Sequence, residues 1–591
     1  MISTTVNKKN PNIVFVLTDD QGYPALGCNG HPFVKTPKLD EFAKDSIRFE
    51  DFHCGTTCAP TRSGLLTGHY CNSTGVWHTV GGRSLLRKDE WTLAEALAEN
   101  GYETAIFGKW HLGDDIPYRP QDRGFKTTLF HGGGMIGDVA DAWGNDYFDD
   151  VYDFNGEKKQ FKGYCTDVFF SEAMKFIEEN KDKPFFCFIP TNAPHGPWNV
   201  EKKYVEMYKN KCANENYARF LGMISNIDDN FGKLRAKLAE LEIEDNTLII
   251  FMSDNGQTNM VKGNYNSGMR GLKCSQYEGG HRVPFFARWA NGGLLKGRRI
   301  DELTSYVDFM PTVLDICGCE MPADKRPFHG ESLMPLIKSE KPREYWDARI
   351  VVTDTQRTPY PLKYQRSCVM KKKWRLINCK ELYNLETDPG QERDISAKYP
   401  ELVEELSTEY EKWWDICSDQ FHTDTPISVG NFKNRINAMD MRDEAGTVIC
   451  GQKMVRQGKN GANGYYPIYV EEDGVYEFEL CRWPEEVDAP LKGKIPEGCD
   501  VEFFREGIAE IDYENYSGGN ELPIDFAQLQ IKDVCIEAKP VNNADSSIRF
   551  EVKLQGEKEY ELRAFFYNEN FSDYNATPFY IYTQKLSNYP E

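Results

Sequence analysis

The stretch NIVFVLTDD, residues 12–20, is an unbroken apolar, β-branched run that closes on two adjacent carboxylates. NTLIIFMSDNG, residues 246–256, repeats the design and closes on Asp254 and Asn255. Runs this short that are apolar throughout, rather than alternating, predict strands buried on both faces, as in a parallel sheet covered by helices. Between them lie a helical pattern, EWTLAEALAENG (residues 90–101), which closes on glycine, and a further strand candidate in KPFFCFIPTNAPHGP (residues 183–197). Strands alternating with helices give the fold class: α/β, with a mixed, mostly parallel sheet flanked by helices. Such sheets bind ligands beyond the carboxyl ends of their strands, so Asp19, Asp20, Asp254 and Asn255 are expected to meet there. Three carboxylates and an amide form an all-oxygen set that selects Ca²⁺ or Mg²⁺ over zinc. The competing reading is that each acidic pair caps a helix or closes a turn; two such strand ends in one chain favour the metal.

At 591 residues the chain exceeds the roughly 250–300 at which a single core stops growing, which predicts two or three units. We place a catalytic α/β domain at residues 10–345. From about residue 350, ARIVVTDT, RSCVMKKKWRLINC and KELYNLETDPGQERD predict a small antiparallel sheet, followed by the helix PELVEELSTEYEKWWDIC; this α+β subdomain is placed at 346–422. Beyond it the alternating runs GYYPIYVEEDGVYEFELCRW, SIRFEVKL, YELRAFFYN and PFYIYTQKL predict an accessory β-sandwich at 423–591.

A formal net charge of −22 argues against nucleic acid as a partner and against long polyanions, so an anionic substrate needs a local basic pocket in an acidic surface. No segment reaches the ~18 uninterrupted apolar residues of a membrane span, and no membrane association is expected. MISTTVNKKNPN, residues 1–12, has no apolar core of a secretory signal. The expectation is a cytoplasmic protein if Met1 is the native start, and a periplasmic or secreted one if a signal has been removed. Seventeen cysteines, an odd number without repeating spacing, fit a reducing compartment better than a disulfide framework.

Three further clusters carry candidate chemistry. GKWHLG (108–113) offers Lys109 and His111, NAPHGP (192–197) offers His195, and MRGLKCSQYEGGHRVP (269–284) offers Arg270, Lys273, Glu278 and His281. A lone loop histidine or lysine is ordinarily just solvated. Converging beside a cation, the same residues would suit an anionic tetrahedral group.

The specific signal is TTCAPTRSGLLTG, residues 56–68. Its Cys58, Pro60, Arg62, Leu66, Thr67 and Gly68 match the signature of the formylglycine-dependent sulfatases. The chain resembles that family, the type I, arylsulfatase-like branch of the alkaline phosphatase superfamily, from about Asn12 to Trp414. VLTDDQG, HPFVKTPKLDEFA, the cysteine motif, GKWHLG, NAPHGP, MSDNG, RGLKCSQYEGGHRVP, SYVDFMPTVLDICG and ELYNLETDP occur in the family's order. The resemblance implies an alkaline-phosphatase-like sulfatase fold and a sulfuric ester hydrolase. It implies that a maturation enzyme, either oxygen-dependent or of the anaerobic radical type, oxidises Cys58 to formylglycine (3-oxoalanine). It further implies that Asp19, Asp20, Asp254 and Asn255, with the modified Cys58, ligate calcium, magnesium being the alternative.

By the same resemblance Arg62 orients the nucleophile and Lys109 and Lys273 hold the sulfate oxygens. His111 takes the proton from the second hydroxyl, and His195 protonates the leaving alcohol. The chemical logic is that a hydrated aldehyde can attack sulfur through one oxygen and then use its second hydroxyl to expel sulfate by C–O cleavage, whereas a serine would be left as a sulfate ester. Thr61 stands where many members have serine, and His69 replaces a common arginine; neither touches the chemistry.

The substrate is expected to be a sulfate monoester on a carbohydrate, a short saccharide rather than a polymer. The segments 131–165 and 256–270, rich in Gly, Asn and aromatic residues, suit stacking and hydrogen bonding to a sugar. Two alternatives stay open: a phosphonate or phosphate ester hydrolase of the same superfamily, and a catalytically inactive carbohydrate-binding relative. The tail, with GVYEFELCRWPEE at 474–486, resembles that of some bacterial arylsulfatase-like proteins. A packing or oligomerisation role is set ahead of sugar binding for it, and the oligomeric state is open.

Overall fold

The structure, a computed structural model, describes residues 10–295, 297–458, 464–496, 507–509, 518–569 and 575–588. Most of the leader reading of residues 1–12, and part of the tail, lie outside the described residues. The central element is a ten-stranded sheet. In chain order its strands are β1 (Asn12–Thr18), β2 (Ile47–Phe49), β3 (Glu103–Lys109), β4 (Thr127–His131), β5 (Val151–Phe154), β6 (Glu157–Gln160), β7 (Phe185–Pro190), β8 (Thr247–Ser253), β9 (Phe285–Arg288) and β10 (Arg299–Ile300). In space the order is β10-β2-β9-β8-β1-β7-β3-β4-β5-β6. The five inner strands β8, β1, β7, β3 and β4 pair in parallel; antiparallel pairs carry the sheet outward on both sides, and the edge strand β10 pairs in parallel with β2.

Why β1 is apolar throughout is visible in its neighbours. Val14 and Val16 face one buried cluster with helices α1 (Pro37–Asp45), α4 (Cys165–Asn180) and α5 (Glu215–Glu240), including Leu39, Phe42, Phe169, Ile177, Ile224 and Phe231. Ile13, Phe15 and Leu17 face a second cluster with α2 (Cys58–Thr67), α3 (Leu93–Glu99) and α6 (Phe309–Cys317), including Leu65, Leu66, Leu97 and Met310. Alternate side chains from Ile13 to Leu17 therefore serve two cores, and polar residues are left only to the strand's two ends, Asn12 and Thr18. The helix expected at 90–101 forms as α3. Thr92 and Glu95 make a reciprocal capping box at its start.

The segment 131–165, read as a substrate loop, contains strands β5 and β6, which extend the sheet edge. Only four residues long each, and exposed along β6, they carry too weak a pattern to stand out from a loop.

Residues 350–384 form a four-stranded antiparallel sheet, packed against the helix α7 (Pro400–Ser418) through Val352, Val369, Leu376, Leu406, Tyr410 and Trp413. After it come a six-stranded and a four-stranded sheet, with Ile468, Phe478, Leu529, Phe550, Leu562 and Ile581 in a shared core. That core also takes Val80, Leu85, Tyr118 and Val139 from the N-terminal part of the chain. The tail is thus seated on the α/β unit through apolar burial. Among the described residues no helix is long and apolar enough to cross a membrane.

Candidate active site

Register brings the acidic ends together. β1 and β8 pair in parallel with Thr18 opposite Ser253, so Asp19–Asp20 and Asp254–Asn255 leave the sheet side by side. The Asp254 amide donates to Thr18 O at 3.0 Å, and the Asp20 amide to Asp254 Oδ1 at 3.2 Å. Gly256 lets this turn pack on the EGGH segment, since a Cβ there would lie 2.0 Å from Gly279 O. Asp20 itself is held at φ 66°, a left-handed conformation that a non-glycine residue adopts at a cost of order 1–3 kcal/mol.

Cys58 is the first residue of α2, all ten of whose residues are buried. Pro60 falls in the first turn, where a missing N–H costs nothing, and Gly68 ends the helix at φ 70°. The helix aims its N-terminus, and with it a partial positive charge, at the acidic cluster. Cys58 Sγ lies 3.1 Å from Asp19 Oδ1, 3.4 Å from Lys273 Nζ and 3.9 Å from Asn255 Nδ2. Ligand atoms of Asp19, Asp20, Cys58 and Asp254 all fall within 4.8 Å of one another.

Three cations answer the three carboxylates. Arg62 Nε and Nη2 grip Asp254 Oδ2 at 3.1 and 2.8 Å, while Nη1 donates to Lys109 O at 2.8 Å. Lys109 Nζ meets Asp19 Oδ2 at 2.5 Å, and Lys273 Nζ meets Asp20 at 2.7 and 2.9 Å. Burial alone would raise the Asp19 carboxyl, but Lys109, with His195, Arg62 and Lys273, holds it well below the usual carboxylate range. Burial and the neighbouring Asp19 push Asp254 up to about 7. Burial, again with Asp19, pushes the Cys58 thiol far above its ordinary value. A thiol so placed is a poor nucleophile at neutral pH.

The histidines surround this cluster. His195, flanked by the cis peptide bonds Ala193–Pro194 and Gly196–Pro197, has Nε2 3.7 Å from Asp20 Oδ2. Its Nδ1 donates to Gly196 O at 2.6 Å, so a proton gained by the ring sits on Nε2, the nitrogen facing the site. Burial and Lys273 lower its pKa, and Asp20 and Asp19 oppose them. The side chains of His195 and Lys273 are 15% and 11% exposed, whereas those of Asp19 and Lys109 are fully enclosed, so access lies on the His195–Lys273 side.

His111, at φ 62°, donates from Nε2 to Thr79 O at 2.9 Å; its Nδ1 is buried and without a partner. Burial, with Lys109, holds this ring well below the ordinary histidine value, which leaves it neutral with a free acceptor nitrogen. Gly134 allows the chain to cover the ring, since a Cβ there would lie 2.9 Å from His111 Cε1 and Nε2. The covering segment is braced from the tail: Val139 N donates to Cys450 O at 2.7 Å, and Gln452 Nε2 to Asp138 O and Ala142 O at 3.0 Å.

Every residue singled out for chemistry therefore has a definite place. Cys58, Arg62, Lys109, Lys273, His195 and the four strand-end residues form one connected cluster, with His111 buried under the charge of Lys109 and Arg62. Glu278, His281 and Arg270 from the third loop go elsewhere. Glu278 and His281 join Asp51, His53 and Arg375, and Arg270 donates to Gln391 O at 2.8 Å and stacks on Tyr277. One residue was missed. His131, the last residue of β4 and opposite Lys109 in register, is buried with both ring nitrogens unpartnered, and burial, with Lys109 and Arg62, lowers its pKa. Its position at a strand's carboxyl end was the available signal.

The donor set fits a hard divalent cation. Asp19, Asp20 and Asp254 supply carboxylate oxygens, and Asn255 Oδ1 is buried with no hydrogen-bond donor on it. An orphan amide oxygen beside three carboxylates is what a bound cation would satisfy.

The sulfatase family model matches residues 11–319, and a second model, described as N-sulphoglucosamine sulphohydrolase, C-terminal, matches residues 272–414. Arylsulfatase J of Mus musculus is 30% identical over 338 residues, 54% of this chain and 54% of that protein, so the chain matches about half of the relative's length. N-acetylgalactosamine-6-O-sulfatase of Bacteroides thetaiotaomicron is 27% identical over 488 residues, 68% of this chain and 92% of that protein. Among solved structures, that of Ps i-CgsB in complex with k-i-k-neocarrahexaose superposes with a TM-score of 0.63 at 28% identity, covering 69% of this chain and 93% of that one.

Proposed function

The chain belongs to the sulfatase family, and from that premise we propose that it hydrolyses a sulfate monoester on a carbohydrate, using a formylglycine made from Cys58 and a calcium ion held by Asp19, Asp20, Asp254 and Asn255. The observation that carries the reading is the placement of Cys58: a buried thiol at a helix start, ringed by three carboxylates, two lysines and an arginine, is poorly suited to act as a thiolate and well placed to act once converted. The relatives named for carbohydrate sulfates support the substrate class.

The aldehyde, once hydrated, supplies the oxygen nucleophile, and the cation supplies fixed positive charge beside it. The chain's own residues do the rest. Arg62 locks Asp254 and the end of β3 with three hydrogen bonds, so the cluster is rigid before substrate arrives. Lys109, held on Asp19, and Lys273, 3.4 Å from Cys58 Sγ, present ammonium groups to the cluster, where they hold sulfate oxygens and offset developing charge. His195 Nε2, on the exposed side, delivers a proton to the leaving alcohol. His111 Nδ1, neutral and unpartnered, accepts a proton within the enclosed side.

Mass spectrometry of the Cys58 peptide, from the source organism or from cells carrying a maturation enzyme, tests the nucleophile. We expect the mass loss of thiol-to-aldehyde conversion, and a persistent thiol in fully active protein would sink the reading. Parallel assays on matched aryl sulfate and aryl phosphonate separate it from the phosphonate hydrolase alternative. His195→Ala is expected to lower kcat on sugar sulfates by on the order of 100-fold or more, with a smaller loss on aryl sulfates whose leaving group needs no proton. Equal losses on both would remove His195 from that role. Dialysis against a chelator is expected to abolish turnover and lower Tm, with calcium restoring both better than zinc.

A further inference from the structure

Directly after GKWHLG the chain continues with Asp114 and Asp115, and there both carboxylates meet Asp440 of the tail. Ligand oxygens of the three lie within 4.8 Å of one another, in a cluster that shares no residue with the one around Cys58. Asp115 is fully buried, and Asp440 nearly so.

Few donors answer these carboxylates. Asp114 accepts from Arg435 Nη2 at 3.2 Å and from Asn437 Nδ2 at 3.1 Å, and the same Asn437 amide reaches Asp440 Oδ2 at 3.0 Å. Among the described residues Arg435 is the only lysine or arginine that forms an ion pair with any of the three. Lys158 and Arg442 act on Asp114 and Asp440 from beyond ion-pair distance, and Arg442 is already paired with Asp424. Asp115 receives nothing. Both of its oxygens are enclosed, and among the described residues no N–H or O–H donates to either. Its carboxyl faces that of Asp440 instead. A buried carboxylate held against two others without a donor is costly to keep, and a hard cation bonded to all three removes that cost.

The rival occupant is a proton. Burial, with Asp114 and Asp440, pushes the Asp115 carboxyl well above its ordinary value, and burial with Asp114 pushes Asp440 up to about 8. A proton joins only one pair of carboxyls, however, and an asparagine at either position would make the same hydrogen bond with no charge to bury. Three carboxylates drawn from two distant parts of the chain suit a cation better. No histidine or cysteine shares the cluster among the described residues, so its oxygens select a hard ion over zinc. Calcium tolerates an irregular ligand set, whereas magnesium demands a near-ideal octahedron.

The cluster also straddles the segments that hold His111. Asp114 and Asp115 lie just beyond His111 on the same loop. From the tail, Met439 O, next to Asp440, accepts from Gly81 N at 2.7 Å and Gly82 N at 3.1 Å. Those glycines continue the segment whose Thr79 O holds His111 Nε2 at 2.9 Å. An ion bridging Asp115 and Asp440 would fasten the tail to both supports of that ring.

We propose that Asp114, Asp115 and Asp440 form a second, structural calcium site, distinct from the catalytic cluster, that ties the tail to the loop carrying His111. The site would exist whatever reaction the Cys58 cluster performs, and part of the Tm lost on chelation belongs to it.

The test is calcium bound per chain, by equilibrium dialysis of the full-length protein, beside thermal melts in calcium and in chelator. Asp115→Asn and Asp440→Asn are each expected to bind one calcium ion fewer than the parent. Asp254→Asn is expected to lose a different one, so that Asp115→Asn combined with Asp254→Asn binds none. In Asp254→Asn protein, calcium is expected to raise Tm by a few degrees, and adding Asp115→Asn to erase the rise. In chelator, Asp115→Asn is expected to melt at or above the parent, since it removes one of three like charges. Asp440→Asn carries the test if Asp115→Asn fails to fold. A calcium count that neither substitution changes, or melts of Asp254→Asn protein that coincide in calcium and in chelator, would overturn the site and leave a cluster that holds protons alone. A count that falls with Asp115→Asn supports the site even if Asp254→Asn changes nothing, a result that would tell against the catalytic cation only.

Discussion

Cys58→Ala protein is expected to fold as the parent does and to lose at least about 10⁴-fold in kcat/KM on any sulfate ester that the parent hydrolyses, because removing the group that attacks leaves only binding and the fixed charges. Folding should survive for a structural reason. The thiol is small, sits at a helix start outside the apolar clusters, and has Asp19, Asn255 and Lys273 within hydrogen-bonding range, so its removal costs about 1 kcal/mol or less. Activity has no such margin, since among the described residues Cys58 is the only cysteine that shares a ligand cluster with Asp19, Asp20 and Asp254. The measurement is hydrolysis of an aryl sulfate and a sugar sulfate beside a thermal melt of the same preparation. An unchanged melt with activity lost places Cys58 in the chemistry. Retained turnover would return it to the status of a buried cysteine.

What the sequence disclosed, and what it withheld, follow from the same physics. Asp19 and Asp254 were legible because each closes an apolar run, and a strand buried on both faces tolerates a carboxylate only where it leaves the sheet; the parallel register of β1 and β8 then makes them neighbours. Lys109 and His195 follow from the same rule, one ending β3 and the other lying five residues beyond β7. The third loop was half legible. Lys273 reaches Asp20, but Glu278 and His281, five and eight residues on, turn the other way, because the helical turn Glu278–His281 packs its side chains toward the four-stranded sheet. Nothing in QYEGGH specifies that direction. It depends on Arg375, about a hundred residues later, whose inward-facing place on a strand gives no pattern of its own.

Arg375→Met is expected to be the most destabilising single change outside the candidate active site. Arg375 lies on the strand Trp374–Ile377 and is fully buried together with Asp51 and Glu278. Its Nε donates to Glu278 Oε2 at 2.9 Å and its Nη2 to Asp51 Oδ1 at 3.0 Å, with His53 Nε2 at 3.2 Å between them. Lys373 Nζ adds a contact to Asp51 Oδ2 at 2.9 Å, and His281 closes the far side through His53 at 2.8 Å. Burial alone would raise both carboxyls, yet Arg375 overrides it, holding Glu278 at about 2 and Asp51 well below its ordinary value. Methionine fills the space and removes the central charge, which leaves Asp51 to Lys373 at 2.9 Å and Glu278 to the more distant Arg282 at 3.7 Å, at a cost of about 3–5 kcal/mol. For a unit of more than about 300 residues the unfolding entropy is about 0.7 kcal/mol/K, so that corresponds to a fall in Tm of about 4–7 °C. The pH dependence gives the loss its signature. Carboxylates with depressed native pKa values stabilise the fold above their unfolded values, near 4.5 for Glu278 and 3.8 for Asp51, and that stabilisation is lost as pH falls toward about 2. The gap between parent and variant should therefore be full at pH 7 and narrow steadily below pH 4.5, as protonation removes from the parent what the substitution has already removed from the variant. Urea melts at pH 7 and at about pH 3 read this directly. A gap that stays constant across that range would mean that Arg375 contributes packing alone, and that the four-stranded sheet is held to the α/β unit by something other than this buried ion cluster.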